Sequence, residues 1–201
     1  RPEGGDEPLI LVWYENTGQA ETWPPTIIGK SNHPIDRVEV ADLNGDRKAD
    51  IIIAEERYPG KEPDGSLFWF AQGDSPKAEN WARNRVVTQY SMNNLDIADI
   101  DEDGDIDLIT NEHKGPRLET QLRENDGKGN FSKVILDTGK ENHLGTQLAD
   151  MDGDGDLDLV GIGWDQHEKV HVWRNDGFTY DRTVRPSSGF IQIHEVTYEV
   201  I

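Results

Sequence analysis

The chain has 201 residues, 40 of them acidic and 20 basic, for a formal net charge of −20. That surplus of carboxylates argues against a nucleic-acid backbone or an anionic membrane surface as partner, because both select for Lys and Arg. The absence of cysteine excludes a disulfide framework, a thiolate zinc site and a cysteine nucleophile, and no apolar run approaches the roughly 18 residues a bilayer requires.

Disorder is a poor reading of so polar a chain, because its apolar residues gather in dense runs such as Leu9-Ile10-Leu11-Val12-Trp13 and Ile51-Ile52-Ile53. Runs rich in β-branched and aromatic residues, bounded by Gly, Asn, Asp and Pro, predict strands near 9–15, 36–41, 50–56, 66–72, 84–88, 94–98, 106–112, 131–136, 145–149, 157–163, 169–174 and 190–200. Only 78–85, with Ala78, Glu79, Trp81 and Ala82, suits a helical turn. The pattern is all-β. Position 1 is Arg rather than Met, which reads as a processed chain or part of a longer one.

The strongest feature is internal repetition. Three twelve-residue segments align without gaps, beginning Ala41-Asp42-Leu43-Asn44-Gly45-Asp46, Ala98-Asp99-Ile100-Asp101-Glu102-Asp103 and Ala149-Asp150-Met151-Asp152-Gly153-Asp154. Each follows a short alternating strand and runs into an apolar one. Further along each unit comes a Leu- or aromatic-containing strand: Leu67-Phe68-Trp69-Phe70, Leu122-Arg123-Glu124-Asn125 and Val172-Trp173-Arg174-Asn175. The opening Val12-Trp13-Tyr14-Glu15-Asn16 is the same element without its front half. Units of about 50 residues holding four short strands have the size of propeller blades, and a sandwich of three similar hairpins is the competing reading. The expected division is a partial blade at 1–31, blades at 32–88, 89–140 and 141–185, and a C-terminal strand at 189–201.

The first, third, fifth and ninth loop positions carry oxygen: Asp42, Asn44, Asp46 and Asp50; Asp99, Asp101, Asp103 and Asp107; Asp150, Asp152, Asp154 and Asp158. So many carboxylates on nine residues repel one another unless a cation sits among them. Calcium suits them, since it takes about 6–8 oxygens in irregular geometry. The seventh positions (Lys48, Asp105, Asp156) are expected to offer backbone carbonyls, which is why Lys is tolerated there. An EF-hand would need Glu at the twelfth position, where Ile53, Thr110 and Gly161 stand. No Cys or His in the loops favours zinc, and magnesium prefers fewer protein ligands. Three sites are expected, with Asp150–Asp158 tightest and Asp42–Asp50 weakest, because Asn44, Arg47 and Lys48 make the first loop less negative.

The pattern Asp-x-Asp-x-Asp-Gly-x-x-Asp, followed by an apolar strand and a Trp- or Phe-containing strand ending in Asn, resembles the FG-GAP or VCBS-type repeats over roughly 9–185. The resemblance implies integrin-α-like β-propeller blades with calcium in the hairpin between a blade's first two strands. It further implies an extracellular or cell-surface module serving adhesion or assembly, with a protein or glycan as partner. A carbohydrate-binding module accessory to a polysaccharide-degrading enzyme is the alternative.

Trp13, Trp69 and Trp173 recur in register and are expected between blades, whereas Trp23, Trp81 and Trp164 fall outside that register and are the candidate ligand platforms. His33 and His143 stand shortly before acidic loops as blade-packing residues. No nucleophile elbow or phosphate-cradling loop is present, so no catalytic residue is assigned. Asn130-Phe131-Ser132 fits the glycosylation triplet. Blades open at both ends would expose apolar faces and strand edges, and cover from further chain or a second copy is expected over self-closure.

Overall fold

The computed structural model describes residues 9–57, 59–165 and 169–175, together with the backbone of 193–199. The outer parts of the terminal segments, 1–8, 176–192 and 200–201, lie outside the described residues, and with them the expected boundaries at 185 and 189. Every described element is a strand. A hairpin of β1 (Ile10–Tyr14) and β2 (Pro25–Lys30) is followed by three four-stranded antiparallel sheets. The first blade is β3 (Ile35–Ala41), β4 (Asp50–Glu55), β5 (Gly65–Ala71) and β6 (Ala82–Gln89). The second is β7 (Met92–Ala98), β8 (Asp107–Glu112), β9 (Thr120–Asn125) and β10 (Phe131–Asp137), and the third is β11 (Gly145–Ala149), β12 (Asp158–Ile162), β13 (Lys169–Asn175) and β14 (Ile193–Glu199). Within each blade the strands pair in chain order, which is the meander of a propeller blade.

One expectation is corrected and two strands are placed. Residues 78–85 form no helix: a turn leads into β6 at Ala82, and the Arg-x-Arg-Val-Val alternation after it favours a half-buried strand over a short helix. The strand β2 was not anticipated, because Pro24-Pro25 looks like a breaker. Pro25 opens the strand opposite Tyr14, a first-residue position that a proline tolerates. Ile193–Glu199, within the expected C-terminal strand, pairs along β13 as the fourth strand of the third sheet.

Consecutive side chains of a strand point to opposite faces, and here each face meets a different neighbour. Ile52, Leu67 and Trp69 of the first blade bury against Met92, Leu95 and Leu108 of the second. Ile53, Phe68 and Phe70 bury the other way, against Ile28, Leu11 and Trp13 of the hairpin. Ile109 and Leu122 meet Leu159 and Trp173 between the second and third blades. Among the described residues the core is therefore three interfaces between four sheets, and the middle of β4, Ile51–Ala54, is apolar because both of its faces are covered. The first strands gather together: β7 packs against both β3 and β11, and Arg37 Nη2 of β3 reaches the Leu144 carbonyl before β11 at 3.0 Å.

Candidate metal centres

Each acidic loop joins the first two strands of its blade, so the antiparallel pairing sets the three loops at corresponding sheet ends. In the second loop, oxygens of Asp99, Asp101 and Asp107 lie within 4.8 Å of one another, and in the third, those of Asp150, Asp152 and Asp158 do the same. The curl that brings them together is made by carboxylates accepting backbone amides two or more residues on. Asp101 Oδ1 accepts Asp103 N at 3.3 Å, Asp103 Oδ1 accepts Asp105 N at 3.0 Å, and Asp99 Oδ2 accepts Gly104 N at 3.0 Å. Gly104 and Gly155 take φ of 96° and 103°, a region that side chains resist. Burial, then the Asp103 charge, raises Asp101 to about 6. Burial raises Asp107 to about 7, against the amides of Asn125 and Ile100 that pull it down. With oxygen alone on offer, the donor set fits a hard cation and gives a zinc-like ion no nitrogen or sulfur.

The ninth-position aspartate has a further task. Asp107 Oδ2 accepts Ile100 N at 3.0 Å while Oδ1 accepts Asn125 N at 2.8 Å, tying the loop to the end of β9. Asp50 does this with Leu43 and Gln72, and Asp158 with Met151 and Asn175. All three are buried. Asn125 Nδ2 also donates to the carbonyls of Ile106, in its own loop, and of Leu43, in the first blade's loop, both at 3.0 Å. The "strand ending in Asn" is thus a lock for the acidic loop, a role the sequence pattern marks without naming.

The first loop is built differently. Asp42 is turned inward, accepting the amides of Asn44, Gly45, Asp46 and Arg47. Lys48 Nζ lies 3.3 Å from Asp46 Oδ2, placing a fixed cation where the other loops have another carboxylate. Asp105 packs its side chain against Gly127 of the β9–β10 turn. In the third loop, Asp154 Oδ1 accepts the Asp156 amide at 3.1 Å.

The tryptophans separate by environment. Trp69 and Trp173 are buried between blades and Trp13 packs partly buried against the first. Trp164 is 61% exposed and Trp23 49%. Trp81 is corrected: it is 8% exposed within the hairpin-facing core, its Nε1 donating to Ala78 O at 2.8 Å. Trp81 follows Glu79-Asn80, which reads as loop, but the start of β6 carries it inward. His143 has company that the sequence did not suggest. With His113 and Glu141 it forms a third group whose ligand-type atoms lie within 4.8 Å of one another, at the sheet ends opposite the acidic loops. The one sequence signal was Glu141-Asn142-His143, since residues i and i+2 of extended chain face the same way.

Four-stranded meander sheets stacked face to face, each with an acidic loop between its first two strands, define a propeller-blade repeat protein. The FG-GAP-like repeat model matches residues 4–53 and 99–161. That is more than half of the chain, which belongs to this family. Among curated proteins, no sequence matches it.

Proposed function

We propose that the chain is a non-catalytic, calcium-binding repeat module that works outside the cell or at its surface in adhesion or structural assembly. The observation that carries this reading is the convergence of Asp99, Asp101 and Asp107, and of Asp150, Asp152 and Asp158, on loops whose carboxylates are held by backbone amides. A bound cation offsets the repulsion within each loop and ties the first two strands of the blade together. Millimolar extracellular calcium suits loops as exposed as these. Asp42, Asn44, Asp46, Lys48 and Asp50 form the weakest of the three sites, because Lys48 already neutralises Asp46. Asp103, Asp154 and the seventh positions Asp105 and Asp156 complete the other two, the last pair through backbone carbonyls.

Calorimetric titration with calcium and a melting curve in excess chelator test the reading together. Each site that binds only the folded chain stabilises it by about 2.7 kcal/mol at a hundredfold excess over its dissociation constant. Asp154→Ala should cost more of that gain than Asp46→Ala. A melting temperature unchanged by chelator refutes the calcium reading. A second reading, glycan binding beside a polysaccharide-degrading enzyme, has the exposed Trp164 ring in its favour. A glycan array on the wild type and Trp164→Ala separates it from pure scaffolding: signal lost with the ring supports it, and no signal removes it.

A further inference from the structure

At the junction of the second and third blades, His113 follows β8, Glu141 and His143 lie on the connector from β10 to β11, and Trp164 and Asp165 follow β12. Glu141 Oε1 is 3.6 Å from His113 Nε2 and 3.5 Å from His143 Nδ1. The two imidazoles lie with centroids 3.6 Å apart at 66°. His113 is 9% exposed, and neither its Nε2 nor His143 Nδ1 has a hydrogen-bond partner.

The surroundings decide which atoms carry lone pairs. Asn93 Oδ1 accepts from Ser91 Oγ at 3.2 Å and lies 3.0 Å from His113 Nδ1. An oxygen there places the proton of a neutral His113 on Nδ1 and leaves Nε2 as a bare lone pair aimed at the Glu141 carboxylate. Glu141 is oriented from behind, because its Oε2 accepts the Asp165 amide at 2.6 Å. Lys114 and Asp165 form an ion pair that braces the two flanking loops across the blade junction. A bare Nε2 lone pair of His113 held against the Glu141 carboxylate in a buried site is favoured by a positive ion between the two.

We propose that His113, Glu141 and His143 bind a divalent transition metal of the zinc class, at a site separate from the acidic loops. The donor set is two imidazoles and one carboxylate, a zinc ligand set that leaves a fourth position for water or a ligand. Bonds of about 2.0–2.1 Å in tetrahedral geometry put ligand atoms about 3.4 Å apart; the two carboxylate-to-imidazole separations are 3.5 and 3.6 Å, all three ligand atoms lie within 4.8 Å of one another, and the imidazole rings part by about 1.5 Å to share one ion. The Asn93–His113 contact is the outer hydrogen bond by which a metal-bound imidazole is oriented. The exposed ring of Trp164, 6.1 Å from His143, borders the site. Nitrogen donors distinguish this cluster from the oxygen-only loops, so the two sites select different ions.

The test is cobalt titration of the untagged full chain in saturating calcium, followed by zinc competition. One cobalt per chain, with the intense visible absorption of a four- or five-coordinate site and loss of that absorption to zinc, is the expected result. His143→Ala and Glu141→Gln should abolish the absorption while leaving the calcium response intact, and Asn93→Ala should weaken cobalt binding about 10–100-fold. Cobalt should also shift or broaden the imidazole NMR signals of His113 and His143 in the wild type, a readout that needs no folded variant. No stoichiometric cobalt binding, or binding that His143→Ala leaves unchanged, overturns the proposal.

Discussion

Replacing Asp107 and Asp101 separately by alanine distinguishes what holds the loop from what the proposed cation would use. Asp107 satisfies two amides in the interior, Ile100 N and Asn125 N, at 3.0 and 2.8 Å. Asp101 accepts Asp103 N at a longer 3.3 Å, on an exposed loop. A buried donor left without its acceptor costs about 1–3 kcal/mol, so Asp107→Ala should cost about 2–5 kcal/mol in chelator. Water can replace the acceptor in Asp101→Ala, which should cost under about 1 kcal/mol. Either change removes one carboxylate from the same crowded loop, so relief of repulsion enters both and largely cancels in the comparison. For a chain of this size about 1 kcal/mol moves Tm by about 2–4 °C, giving a drop of about 4–20 °C for Asp107→Ala and about 4 °C or less for Asp101→Ala. Calcium should then widen the gap between wild type and each variant, by about 2.7 kcal/mol at a hundredfold excess over Kd. Differential scanning calorimetry with and without chelator reads all of these. Equal losses for the two variants in chelator would refute the assignment of Asp107 as the clamp.

Gly129→Ala should destabilise by about 2–4 kcal/mol in a urea titration, because a methyl there overlaps the Trp69 ring on a residue with φ of 78°; a loss below about 1 kcal/mol would show that the blades shift to accommodate it. Trp173→Ala should cost about 3–5 kcal/mol, with Trp164→Ala staying within about 0.5 kcal/mol, and the reverse order would contradict the placement of the two rings. Burial, then the Asp96 charge, raises Glu39, while Arg37 draws it down, and burial likewise raises Asp96. The folded chain thus holds more protons than the unfolded one above the ordinary carboxylate range, so this contribution favours the fold at about pH 4 and is lost as pH rises through the raised values. Glu39→Gln should flatten the slope of Tm against pH in chelator, and an unaltered slope would discard the idea.

The meander of four strands was legible because each blade repeats the same order of punctuation: alternating strand, acidic loop, apolar strand, aromatic strand. The gathering of carboxylates in the second and third loops was legible for a similar reason, since so many of them on nine residues of a tight loop have little room to separate. Two kinds of feature were not. Trp81 and β2 depend on tertiary burial, and local composition carries no sign of it at Trp81 or after Pro24-Pro25. The cluster of His113, Glu141 and His143 joins two loops nearly thirty residues apart at a blade junction, and only the pairing of β7 with β8 and the start of β11 brings them together. The clamp role of Asp50, Asp107 and Asp158 was hidden behind an equally good reason for aspartate at the same positions.

Trp69 and Phe70 are neighbours in sequence, yet Trp69 fits against Gly129 in the blade that follows and Phe70 against Gly29 in the hairpin that precedes. These two junctions thus each have their own matched ring and glycine, so the hairpin and the first two blades are not interchangeable parts. A chain with its first and second blades exchanged would keep every strand, turn and acidic loop, and still bring rings against Cβ atoms instead of glycines. The order of the blades is written in the fit between their faces, and a shuffled chain would reveal it by failing to stack while its individual hairpins still formed.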